Sequence, residues 1–139
     1  MRYYYLLIAT SVLLTLASAG SADQKFYQIF KKEYLEQHPD KKFADAMNKA
    51  DVRCLLCHQG KKSKKNRNAF GEHLDTLLDR KKDLKNDEKI ADAIKKALAM
   101  HVDPKDEKSE TYFDRIKASK WPAGELDDLK KEPKEPAEK

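Results

Sequence analysis

Apolar residues recur at spacings of three and four through most of the chain, with lysines and acids between them. Phe26, Ile29, Phe30 and Tyr34 fall on one face of a helix over residues 25–37. His38-Pro39 ends it, because the residue before proline disfavours the helical conformation. Phe43, Ala46, Met47 and Ala50 predict a short helix over 41–50. Phe70, Leu74, Leu77 and Leu78 predict one over 69–80, followed by a charged turn over 81–86. Ile90, Ala93, Ile94, Ala97 and Leu98 predict another over 87–99, and Asp103-Pro104 breaks the chain. Tyr112, Phe113 and Ile116 give a last helix over 110–119, capped by Ser109 or Thr111. No internal repeat is visible.

Val, Ile and Thr are scarce, and glycines number only four in 139 residues, so sheets and tight β-turns are disfavoured. The expected fold class is all-α, with four to five short helices. This length suits one small domain and excludes a barrel enzyme or two domains around a cleft. With 38% charged residues and a net charge of +5, a large apolar core is not expected. Small domains of this kind lean on a disulfide, a metal or a cofactor.

The chain divides into three. Residues 1–19 read as a secretory signal peptide: Arg2 gives a positive start, residues 6–16 are an apolar run, and Ala17-Ser18-Ala19 offers small residues for cleavage. The run is shorter than the roughly 20 apolar residues of a spanning helix. The mature protein is therefore expected to be exported, periplasmic or beyond, with no stable membrane insertion. Residues 20–122 form the folded domain. Residues 123–139, with a repeated Lys-Glu-Pro, read as a charged, disordered tail.

Cys54-x-x-Cys57-His58 is the pattern of covalent c-type haem attachment. Two thiols three residues apart lie about one helical turn apart. Each is placed to add to one vinyl group of a haem edge, and His58 follows as the proximal iron ligand. A redox-active Cys-x-x-Cys would want a βαβ setting, which is missing here. A structural disulfide would leave His58 unexplained. A zinc site lacks a second Cys pair.

On these residues the chain resembles the small monohaem c-type cytochromes, and more narrowly the short exported cytochromes of planctomycete-type bacteria, including the anammox group. The similar stretch runs over residues 43–122. It includes Phe43-Ala44-Asp45-Ala46, Cys54 through Gly60, the run Lys61-Lys62-Ser63-Lys64-Lys65-Asn66-Arg67-Asn68-Ala69-Phe70-Gly71, Glu88-Lys89-Ile90, Ala99-Met100 and Asp103-Pro104. The resemblance implies a cytochrome c-like fold around one haem c. It also implies a distal methionine downstream of the motif, for which Met100 is the candidate. His101 is the alternative, because it continues the apolar line of Ile90, Ile94 and Ala97 if the helix extends that far. Methionine would raise the haem potential, and histidine would lower it.

Lys61, Lys62, Lys64, Lys65 and Arg67 crowd into the stretch after the motif. Beside a haem edge such a patch would steer acidic redox partner proteins. Arg67 or a neighbouring lysine is alternatively placed to pair with a haem propionate. Nucleic-acid binding is not expected, since the loop has no interleaved aromatics. The expected function is single-electron transfer between redox partners. The alternatives are binding of a small gas such as nitric oxide or carbon monoxide, or service as a haem subunit of a larger complex. No second constellation of acid, base or nucleophile suggests an enzyme.

Overall fold

The structure, a computed structural model, describes residues 21–63 and 65–133. Residues 1–20, which include the expected signal peptide, Lys64 of the basic stretch and residues 134–139 lie outside it. Among the described residues the protein is all-α, with two isolated antiparallel bridges, His58 with Arg67 and His101 with Thr111. No helix among them is long and apolar enough to cross a membrane.

Helix α1 (Ser21–Phe30) continues into a π-helical turn at Lys31–Leu35, and His38-Pro39 terminates it as expected. His38 is buried at that end. Its Nε2–H donates to the Ile116 carbonyl at 2.9 Å, which ties the end of α1 to the far C-terminal half. Helix α2 (Lys41–Asn48) starts at Asp40, whose carboxylate accepts from the Phe43 N–H. A 3₁₀ turn (Arg53–Leu56) then carries the motif.

Residues 69–80 do not form one helix. Helix α3 (Ala69–Leu77) ends where Leu78 turns extended, and Asp79 caps a new short helix, α4 (Arg80–Asp83), inside the stretch expected as a charged turn. The apolar period runs on through Leu78, but the cap at Asp79 outcompetes it. Helix α5 (Asp87–Leu98) is capped by Asn86, and α6 (Tyr112–Lys117) by a Thr111–Asp114 capping box. Thr111, rather than Ser109, is therefore the cap.

Residues 123–133 are the described part of the segment expected as a tail. They contain α7 (Leu126–Leu129), whose Leu129 is buried. Seven α-helices are thus present among the described residues, against the four to five expected.

Helix α5 is central, packed against α1, α3 and α6. Its buried Ile90, Ile94 and Leu98 each contribute about 1.5–3 kcal/mol by leaving water. Phe70 of α3 meets Tyr112 of α6 at a ring separation of 5.4 Å, joining the two halves of the core. The first helices and α3–α5 leave a gap on one side, and the motif sits at that gap.

Candidate functional site

Cys54, Cys57 and His58 line one cavity of about 310 Å³. Its walls come from α1 (Phe26, Tyr27), the 3₁₀ turn (Leu56), α3 (Leu74), the chain around α4 (Leu78, Leu84) and α5 (Ile90). The interior is apolar and the rim is charged, with Arg53, Arg67, Asp75, Asp79 and Asp83 in the lining. In a 3₁₀ turn residues i and i+3 eclipse. This is why Cys54 and Cys57, at the turn's second position and its C-cap, both reach the cavity. Cys54 is exposed, Cys57 is half-buried, and neither is in a disulfide. Among the described residues no group of three or more His, Cys, Asp or Glu side chains converges as for a bare metal ion.

His58 is buried, and its Nδ1 lies 3.2 Å from the Asn66 carbonyl. A carbonyl only accepts, so Nδ1 carries the proton and the ring's coordinating lone pair is on Nε2. That tautomer, held by a backbone carbonyl, is the arrangement that orients a metal-ligating imidazole.

Two residues that sequence reasoning did not single out as site residues build this geometry. Asn68 is buried, and its side-chain amide donates to the carbonyls of Leu55, Leu56 and His58 at 2.9, 3.2 and 3.2 Å. Its Oδ1 accepts from the Gly71 N–H at 2.9 Å, capping α3. Gly71 packs against the motif itself: a Cβ there would overlap the Cys57 carbonyl oxygen. Their sequence signal was present, an Asn three residues before a Gly at the head of an apolar period, which is an N-cap pattern.

Arg67 departs from its lysine neighbours. It is half-buried, pairs with Asp75 at 2.6 Å and lines the cavity. Its Nε is buried without a hydrogen-bond partner among the described residues. Lys61, Lys62 and Lys65 are exposed beside the motif.

The two distal-ligand candidates are elsewhere. Met100 is half-buried against the core, and its carbonyl accepts from the Tyr112 N–H. The ring Nδ1–H of His101 donates to the Ser109 carbonyl at 2.6 Å. Neither lines the cavity, and His58 is the only His or Met among the described residues that do. Helix α5 stops at Leu98, so the apolar line that would have carried His101 inward ends before it.

The Lys81 N–H holds the Asp79 carboxyl below the usual range, and the Lys89 ammonium does the same for Asp83. The rim carries both signs of charge. No protein-family model matches the chain, and neither does any curated protein or solved structure.

Proposed function

We propose that this chain is an exported monohaem c-type cytochrome that carries single electrons between redox partners. The observation that carries the reading is the convergence of Cys54, Cys57 and His58 on one apolar cavity. In this reading each thiol adds across a haem vinyl group, sulfur to one carbon and the thiol hydrogen to the other, so attachment involves no net oxidation. His58 holds the iron through Nε2, the nitrogen left as a lone-pair donor by the bond from Nδ1 to Asn66. The partnerless Nε of Arg67 suits a propionate carboxylate at the cavity rim. Bound haem supplies the one-electron iron couple. The walls from α1, α3 and α5 exclude water from it, and the fold in this reading is cytochrome c-like. Lys61, Lys62 and Lys65, with Lys64, steer acidic redox partners to the exposed edge at Cys54.

One observation favours a second reading, in which the haem binds a small gas such as nitric oxide or carbon monoxide. It is the placement of Met100 and His101 away from the residues that line the cavity.

The test is to produce the protein in a host that exports it and attaches haem c. Its mass is measured after denaturation, and its spectra are recorded in both oxidation states with and without carbon monoxide. Haem retained on the unfolded chain is expected, and its absence would sink both readings. Low-spin spectra unmoved by carbon monoxide support electron transfer. High-spin ferrous iron that takes up carbon monoxide replaces it with gas binding.

A further inference from the structure

The C-terminal segment returns to the haem motif. The Leu129 carbonyl accepts from the Gly60 N–H at 2.8 Å, with Leu129 buried. Three residues on, Glu132 Oε1 accepts from the N–H groups of Lys61 and Lys62 at 2.8 and 2.9 Å. Glu132 Oε2 accepts from the side-chain amide of Asn66 at 3.4 Å. The carboxylate thus grips both limbs of the loop that leaves the motif and comes back to it. Gly60 bends the chain there with φ +76°, and the space a Cβ would need is filled by Glu132. Asn66 is the pivot. Its side chain is held by Glu132, while its carbonyl accepts from the Gln59 N–H at 3.0 Å and from His58 Nδ1–H at 3.2 Å.

We infer that Glu132 is a positioning residue for His58, acting through Asn66 to fix the tautomer and the basicity of the imidazole. The inference rests on the haem reading for its redox consequence, but the tautomer is a property of the chain itself. A hydrogen bond to the far nitrogen of a ligating imidazole orients the ring and makes it a stronger donor. A stronger donor favours the ferric state and lowers the potential. Without Glu132 the loop loses its two N–H anchors and the Asn66 amide contact. The Asn66 carbonyl is then held against Nδ1–H by the Gln59 N–H alone, a looser grip.

The test compares Glu132→Ala and Glu132→Gln with the parent, each as the full chain. Mass after denaturation scores covalent haem. NMR of the imidazole nitrogens, recorded on the reduced protein, scores the Nδ1 proton and its exchange with solvent whether or not haem is attached. Glu132→Ala is expected to exchange the Nδ1 proton at least tenfold faster and, where haem is present, to shift the reduction potential positively. Glu132→Gln keeps a carbonyl oxygen for the same two N–H groups and is expected to lie close to the parent in exchange rate. Unchanged exchange in Glu132→Ala overturns the inference. So does a Glu132→Gln variant that matches Glu132→Ala in potential with parental exchange in both, since the carboxylate charge alone then explains the shift. A chain with no haem but with Glu132-dependent exchange sinks the haem reading and leaves the positioning role standing.

Discussion

The side chain of Asn68 ties the His58 carbonyl to the head of α3, donating to His58 at 3.2 Å while accepting from Gly71 at 2.9 Å. One buried amide therefore fixes the motif against α3, which also lines the cavity.

Removing it exposes the role. Asn68→Ala leaves three buried carbonyls without this donor and strips the cap from α3. The expected loss is about 3 kcal/mol of unfolding free energy. Urea unfolding followed by far-ultraviolet dichroism measures it. A loss under about 0.5 kcal/mol, the size of an ordinary surface substitution, would contradict the hub role.

Gly71 is needed for closeness. Its φ is an ordinary negative one, but the Cys57 carbonyl occupies the place of a side chain. Gly71→Ala is expected to cost about 1–3 kcal/mol as the motif shifts away from α3, and to lower the fraction of chains carrying covalent haem. Mass spectrometry of the denatured protein reads the second effect. Full haem loading with parental stability would show that the contact relaxes freely.

Met100 and His101 lie apart from the residues that line the cavity. Met100→Ala and His101→Ala are therefore both expected to keep the parental optical spectrum in each oxidation state. Loss of a sulfur-to-iron band in Met100→Ala alone would restore methionine as the distal ligand.

The exposed lysines beside the motif are expected to act on encounter rates. Lys61→Glu with Lys62→Glu should slow reduction by an acidic redox protein about tenfold at low salt. The difference should shrink as ionic strength rises and the Debye length contracts. Stopped-flow kinetics over a salt series tests this. Equal rates at low salt would remove the docking role from these two side chains.

The α6 capping box gives a signed pH dependence. Hydrogen bonds from the Thr111 hydroxyl and then Lys117 lower the Asp114 carboxyl from 3.8 to about 2. A carboxyl depressed in the folded state contributes stability that is complete above its unfolded value and lost as pH falls through the folded one. Between about pH 4 and pH 2 the parent should therefore lose stability more steeply than Asp114→Asn. Thermal melts across that interval check the slopes, and parallel curves would refute the assignment.

Much of the architecture was legible because it is local. The period of Ile90, Ala93, Ile94, Ala97 and Leu98 marks the face that α5 buries, and all five are buried. The Cys-x-x-Cys-His spacing, likewise local, carries the haem proposal. The 3₁₀ turn that brings both thiols to one cavity was less visible, since the periodicity of a four-residue turn is too short to read. The division of residues 69–83 into two helices was also hidden, because Asp79 competes locally with a hydrophobic period that runs past it.

What the sequence by itself determined is the helical class, the apolar faces and the Cys-x-x-Cys-His spacing, since each depends on spacings within a few residues. The tertiary structure alone decided which residues meet at the motif. Glu132 reads as one more charge in a polar tail, and only folding brings its carboxylate to the N–H groups of Lys61 and Lys62. Arg67 reads as one more cation in a basic run, and only folding turns it toward the cavity and Asp75. Met100 and His101 read as ligands at the end of a helix, yet the chain turns after Leu98 and carries both away from the cavity wall. Polar contacts between distant segments leave no period in the sequence. They are set by where backbone donors and carboxylates come to rest once the apolar faces have packed.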